Sequence, residues 1–376
     1  MASHGAARAE GESGRAARNR YAFTQLTGGP VTIPSYTGVA TGAVAAACLA
    51  AGCAAPPAQP VRLVCPYAPW YQHAYRHGAV ATRETQQRMQ AWYASHAAGP
   101  VSNVLSFGGG IDGIGVTSGT PRVYLVFYGS QWTSGGDPQA AAAYLQSLFT
   151  GIGTGGEQWS GTMTQYCDGE RVAKGATSCP AGAPHVGYPR TGLLAGVWFD
   201  GSVASPANAT PAQLAQEAVN AARHFGNTAA DSNRYALYFI VSPSGAHPDG
   251  FGTTGGFCGW HDFTSSSFGD IAYANLPYVS DLGTSCGANF VNRGAAGVLD
   301  GFSIVGGHEY AEIVTDQNPA GGWANAQTGE ENADECAWIA AGQGASANVS
   351  MGNGAYAMQS TWSNDTNECN ISHAIP

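Results

Sequence analysis

Gly301-Phe302-Ser303-Ile304-Val305-Gly306-Gly307-His308-Glu309-Tyr310-Ala311-Glu312-Ile313-Val314-Thr315-Asp316 is the stretch on which the fold of this chain turns. Phe302, Ile304, Val305, Ile313 and Val314 suit a buried helix, or a strand running into one. On a helix, residues four apart share a face, so the spacing predicts that His308, Glu312 and Asp316 form one polar stripe. Glu309 then sits about 100° round from His308. Three carboxylates and an imidazole are costly on so apolar a segment unless they are paired or metal-bound.

The spacing is that of H-E-x-x-H, the two-histidine helix of zinc-dependent hydrolases, with glutamate in place of the second histidine. A second acidic cluster follows closely: Gly322-Trp323, then Gly329-Glu330-Glu331-Asn332-Ala333-Asp334-Glu335-Cys336. A zinc hydrolase needs two or three fixed ligands, an open position and a base beside it. His308 and Glu312, one helical turn apart, are expected to share one ion, with Glu309 as the catalytic base. His261, in a glycine-rich loop tethered by Cys258, is the first choice for the third ligand. Asp316, Glu331 and Asp334 are the carboxylate alternatives. Zinc is the expected metal, and calcium replaces it if carboxylates dominate the ligand set. The bland alternative makes His308 a core histidine bonded to a backbone carbonyl and pairs Glu309 and Glu312 with Arg293 or another arginine.

Composition narrows the class. The 376 residues include 53 Gly and 20 Pro, only 11% are charged, the net charge is −10 and the sole lysine is Lys174. Nothing here favours nucleic-acid binding. Low charge with abundant Gly, Ser, Thr and aromatics suits a secreted protein. The first 55 residues read as a basic region and signal peptide. Leu49-Ala50-Ala51-Gly52-Cys53 resembles a lipoprotein box with its leucine one place early, which leaves periplasmic or lipid-anchored destinations open beside the extracellular one. The apolar run is too short and too rich in Ala and Gly for a transmembrane anchor. In an exported chain an even set of cysteines reads as disulfides. The most local pairing of the six downstream ones is Cys167–Cys179, Cys258–Cys286 and Cys336–Cys369. A cysteine zinc site is disfavoured because no C-x-x-C occurs.

Residues 56–120 read as a linker or propeptide, with a short helix over Thr82–His96. The main domain, 121–376, opens on the buried-strand signal Arg122–Tyr128. A helix is predicted from Asp137-Pro138 to about Thr150, a strand over Leu193–Phe199, and a helix from Thr210-Pro211 closing at Gly226. Strands follow at Tyr235–Val241, Ile271–Val279 and Tyr356–Trp362. Strands alternating with helices indicate α/β architecture, here a mixed sheet with flanking helices, zincin-like and disulfide-stabilised, behind a disordered or propeptide-like N-terminal region.

Gly297 to Trp338 resembles the C-terminal signature of the phosphate-induced protein 1, or EXORDIUM-like, family. The matching elements are His308-Glu309-Tyr310-Ala311-Glu312, Thr315-Asp316, Gly322-Trp323 and Asp334-Glu335-Cys336. Phe257-Cys258-Gly259-Trp260-His261 is similar to the family's Cys-Gly-x-His segment, and Phe127-Tyr128-Gly129-Ser130-Gln131-Trp132 to its first strand. Gln359-Ser360-Thr361-Trp362-Ser363-Asn364 looks like the end of bacterial members. The resemblance runs from about Pro121 to the C-terminus and implies the fold and a secreted, wall-associated setting.

Rival chemistries are weaker. Ser242-Pro243-Ser244-Gly245 follows a strand but lacks the G-x-S-x-G elbow. Asp200 and Asp231 with Glu217 offer glycosidase-type carboxylates with nothing to fix their separation. His73 and His77 are ligand-spaced but lie outside the family-like region. Trp132, Trp159, Trp198, Trp260, Trp323, Trp338 and Trp362 suit either a polymer groove or, more simply, core packing. The expectation is a secreted metal-dependent hydrolase, an endopeptidase acting on extracellular protein, peptide or cell-wall polymer. The alternative is a non-catalytic wall-associated protein with a structural calcium site.

Overall fold

The computed structural model describes residues 62–97, 99 and 102–376. The signal-peptide reading, with Cys48 and Cys53, lies outside the described residues. Elements are numbered along the chain.

Helix α1, Arg83–His96, starts where Thr82 accepts the Thr85 amide proton on its side chain, a standard N-cap. The short strand β1, Ser106–Phe107, pairs antiparallel with a later strand at Trp323. Strand β2 is Arg122–Tyr128 as predicted, buried along all but its first residue. Helix α2 runs Ala141–Gly151 and so starts later than Pro138. Asp137 still caps it: its carboxylate accepts from the Ala141 and Ala142 amides at 2.7 and 3.1 Å, over a turn closed by Ala140 at φ 58°. Strand β3 is Leu194–Asp200. Helix α3, Pro211–His224, carries a full capping box between Thr210 and Gln213 with Pro211 in its first turn.

Strand β4, Ala236–Val241, is buried throughout. Strands β5, Trp260–Ser266, and β6, Gly269–Leu276, form a hairpin. The expected strand to Val279 stops short because Pro277 cannot donate to a ladder. Helix α4 is Asp300–Thr315, every residue of it buried. Burial of Phe302, Ile304, Val305, Ile313 and Val314 contributes about 1.5–3 kcal/mol each. After β7, Trp323–Ala324, come β8, Ala347–Met351, and β9, Gly354–Met358. The expected Tyr356–Trp362 strand is broken: Gln359 and Ser360 turn their side chains inward, to Ala333 O and Gly344 O, before β10, Thr361–Ser363. Strand β11, Glu368–Asn370, pairs with β10.

The main sheet has the order β3-β2-β4-β6-β5, parallel except for the edge strand β5. Successive strand residues face opposite sides. Phe239 packs on Phe149 of α2, whereas Tyr238 packs on Tyr124, which also meets Phe225 at the end of α3. Helices α2 and α3 therefore cover opposite faces. Helix α4 packs beside α2 and against β5 and β6. This is the mixed α/β sheet with flanking helices that the sequence indicates. All three disulfides follow the local pairing: Cys167–Cys179, Cys258–Cys286 and Cys336–Cys369. Trp159, Trp260 and Trp323 are fully buried, which is the packing reading of those residues.

One boundary moves. The linker expected before Pro121 is part of the domain: Ala79, Val80, Leu105, Phe107 and Val116 belong to its main core, and β1 is hydrogen-bonded to β7. Apolar residues spaced without a clear period gave no sign of this, because each is buried by contacts with distant segments.

Candidate metal centre

Three segments, helix α4, the turn just after it and strand β5, converge at the sheet edge. Helix α4 supplies His308 and Glu312 from one face, with His308 Nε2 3.0 Å from Glu312 Oε1. The short 3-10 turn Asp334–Cys336, pinned by Cys336–Cys369, brings Asp334 Oδ1 to 3.5 Å from the same nitrogen. Strand β5 supplies His261, whose Nε2 is 3.3 Å from Glu331 Oε2 and 3.9 Å from Glu312 Oε2. Two triads result, His308–Glu312–Asp334 and His261–Glu312–Glu331, and Glu312 lends one oxygen to each.

The supporting hydrogen bonds orient these donors. Gln359 donates through Nε2 to Ala333 O at 2.8 Å, which turns its Oε1 toward His308 Nδ1 at 3.1 Å. Gln359 thus holds a proton on His308 Nδ1 and turns Nε2 toward Glu312 and Asp334, the usual way an outer partner orients a metal-binding imidazole. The Asp334 amide donates to Glu312 Oε1, and the Glu331 amide to Asp334 Oδ2. His261 is fully buried with neither ring nitrogen hydrogen-bonded, and Glu309 is fully buried with neither carboxylate oxygen hydrogen-bonded. Such orphans are rare in native interiors and call for an explanation.

Electrostatics point the same way. Burial pushes Glu312 up to about 7, with repulsion from Asp334 adding to it and attraction by His308 opposing it. Burial likewise drives Glu309 and Glu331 well above the ordinary carboxylate range. Burial holds His261 well below its usual value, reinforced by repulsion from His77 and His308. For His308 burial acts downward, but Glu312 and Asp334 more than offset it and the net shift is upward. Among the described residues no arginine or lysine pairs with any of these carboxylates; the ion-pair partners are the two histidines. The pairing of Glu309 or Glu312 with an arginine is thus absent among the described residues, and the two histidines are the only basic groups facing the buried carboxyls there.

Two members of the sequence-based ligand set, His261 and Asp316, stand differently in the structure. His261 lies on strand β5 and not in a loop, because residues 260–266 pair along the whole of β6. It groups with Glu331 and Glu312, and no donor group combines it with His308. Asp316 is not a ligand: it ends α4, and its carboxylate accepts from the Ala320 and Gly322 amides at 2.9 and 2.5 Å. Asp316 stands four positions after Glu312, but as the C-cap, at φ −144°, it has left the helical path and does not continue the stripe. Glu309 joins neither triad. Its Oε1 lies against Gly259, where a Cβ would stand 2.6 Å away.

Two contributors escaped the sequence reading. Gln359 opens the stretch that looks like the end of bacterial members, but nothing in that likeness marks it as the partner of His308, 51 residues away. Gly78 belongs to a segment, His77–Thr82, that runs antiparallel beside the start of β5. His77 and His261 exchange both backbone hydrogen bonds at 3.2 and 3.0 Å, Cys258 donates to Val80 O, and Thr82 donates to Gly256 O. A Cβ on Gly78 would stand 1.9 Å from Glu312 Oε2 and 2.6 Å from His261 Nε2.

The rival sites do not assemble. Ser242 is buried without a hydrogen-bond partner for its hydroxyl. Glu217 is raised to about 7, chiefly by burial and also by Asp200, while Asp231 is exposed. His185 lies beside Cys167 and Cys179, but both thiols are consumed in a disulfide. No family model, curated protein or solved structure matches the chain.

Proposed function

We propose that this chain is a secreted zinc-dependent hydrolase of peptides, zincin-like in its use of a His-Glu-x-x-Glu helix and akin to the EXORDIUM-like proteins it resembles. The observation that carries the reading is the convergence of two imidazoles and three carboxylates, fully or nearly fully buried, which no arginine or lysine among the described residues pairs with. Zinc takes nitrogen and oxygen donors at about 2.0–2.2 Å, so neighbouring donors of a tetrahedral ion stand roughly 3.3–3.6 Å apart. The contacts from His261 and His308 to their carboxylates, 3.0 to 3.9 Å, bracket that spacing. The donors fit one zinc in each triad. The three carboxylates of the triads bring −3 against the +4 of two dications, and Glu309, when ionised beside them, supplies the fourth negative charge.

Bound zinc would supply a Lewis acid for the scissile carbonyl and an acidified water as nucleophile. Glu309 holds and releases the proton at its carboxylate, beside the ligands but outside both triads. Gln359 keeps His308 in the ligating tautomer. The apolar faces of α4 and β5 exclude bulk water, which strengthens every charge interaction inside. Calcium as a structural ion is the second reading, favoured by the carboxylate excess. Calcium, however, takes six to eight oxygens, whereas each triad here includes an imidazole nitrogen.

Metal analysis of purified protein before and after chelation tests the assignment. Two equivalents of zinc are expected. Glu309→Gln should keep the metal and lose peptide hydrolysis. Calcium, or no metal, together with no turnover would refute it.

A further inference from the structure

The metal centre has no opening to solvent of its own: His261, His308, Glu309 and Glu312 are all 0% exposed. Directly over His261 and Glu312 lies the segment His77–Thr82, and three features of that segment bear on function. It is hydrogen-bonded to the edge of the sheet, antiparallel to β5, in the manner by which extended peptides add to an exposed strand. Its Gly78, at φ +48°, passes so close to Glu312 and His261 that no side chain fits there. And residues 62–97 are not covalently stapled to the rest. The three disulfides lie within residues 167–369, and Cys65 pairs with no cysteine among the described residues.

The same region has a small core of its own. Cys65, Ala68, Ala81 and Met89 pack together with Trp70, Trp92 and Tyr93, apart from the main core. It is held on the domain by Ala79 and Val80 in the main core, by Trp338 Nε1 donating to Ala81 O at 2.8 Å, and by Arg76, which is 5% exposed. Arg76 Nε donates to Asp249 Oδ2 at 2.7 Å, one Nη donates to Asp249 O, and the guanidinium stacks on Phe257. Two surface cavities of about 250 and 260 Å³ flank it, one between Arg62–Cys65, Trp70–Gln72 and Thr328, the other between Pro66–Arg76, α1 and Thr254–Gly256.

We infer that residues 62–97 are a releasable inhibitory strap, and that its His77–Thr82 stretch occupies the place of the substrate. The inference rests on the hydrolase reading above and adds a substrate class to it. The substrate is an extended polypeptide that pairs with β5 and places glycine, or a residue with an equally small side chain, over the cluster. The strap itself escapes cleavage because Gly78 sits against the ligands in a left-handed conformation rather than an extended one.

The test uses the full chain with a site-specific protease sequence inserted directly after Ala97, so that folding precedes the cut. Zinc content, the rate of zinc extraction by a chelator, and hydrolysis of a fluorogenic Gly-Ala-Val-Ala peptide are measured before and after cutting and mild washing in urea. Release of the strap should leave the zinc equivalents unchanged, speed extraction at least tenfold, and raise hydrolysis from near zero. A synthetic peptide spanning Tyr75–Arg83 added back should suppress both effects. Arg76→Ala in the uncut chain should give a partial version of the same result. An unchanged extraction rate once the strap is demonstrably gone, with zinc present, overturns the strap and spares the metal assignment. Absence of zinc in the intact chain overturns the metal assignment, and the inference falls with it. Zinc present and extraction accelerated, but with no hydrolysis of any peptide, overturns the substrate class.

Discussion

Replacing Gln359 by leucine removes a side chain that touches no substrate and ligates nothing, yet it should weaken the metal site strongly. Gln359 Oε1 is the acceptor for His308 Nδ1 at 3.1 Å, and its Nε2 supplies Ala333 O at 2.8 Å and Ser360 O at 3.2 Å. In the leucine variant the imidazole proton is free to move to Nε2, which would then face Glu312 and Asp334 as a donor. Loss of an outer partner of this kind lowers metal affinity by about 10–100-fold, equivalent to roughly 1.4–2.7 kcal/mol. Ala333 O is left unpaired in the interior as well, at a cost of about 1–3 kcal/mol to stability. Zinc affinity is read by competition with a chromogenic chelator at pH 7.5, and stability by thermal unfolding of the chelated protein. The expected result is a rise in Kd of at least tenfold together with a lower Tm. Gln359→Glu, which restores an acceptor for Nδ1 but not a donor for Ala333, should recover affinity without recovering Tm. A leucine variant with a lowered Tm and wild-type zinc affinity would show that Gln359 only packs, and would refute the orientation argument.

The two triads separate by mutation: Glu312→Ala should abolish zinc binding altogether, while Asp334→Asn and Glu331→Gln should each leave about one equivalent by metal analysis. Joint replacement of Cys336 and Cys369 by serine opens a loop of 33 residues; it should cost about 3–4 kcal/mol in denaturant unfolding and should release zinc from the Asp334 triad first. The carboxyl of Glu217 is raised to about 7 by burial and by Asp200. A folded-state value above the unfolded one means its contribution is full below about pH 4.5 and is lost as pH rises through 7. Glu217→Gln should therefore be neutral at pH 4 and stabilise by about 1–2 kcal/mol at pH 8, after allowance for solvent screening, with zinc content unchanged.

Much of the architecture was legible in the residues because local rules and the tertiary fold agree. Arg122–Tyr128 is apolar enough to demand burial on both faces and becomes an inner strand. Thr210-Pro211 with Gln213 spells a capping box, and the helix begins there. The helix bearing His308 and Glu312 follows from their four-residue spacing on an apolar segment. Neighbouring cysteines found each other because short loops close at low entropic cost.

Other features depend on contacts that no local pattern records. Edge strand β5 has a polar outer half, and only pairing with β6 makes it a strand. Asp316 has the spacing of a third ligand, but a helix ends when its carbonyls find other partners, and the Ala320 and Gly322 amides took its carboxylate. The division of the donors into two groups, with Glu312 between them, is a matter of a few ångströms in three dimensions. Gly78 and Gln359, some 280 residues apart, carry no chemistry of their own. Residue types and spacing on one helix can announce His308, Glu309 and Glu312, because a helix fixes the relative positions of its own side chains. Which distant residues meet them is decided by how the sheet, the strap and the disulfide-pinned turn pack, a long-range outcome of burial that spacing does not encode.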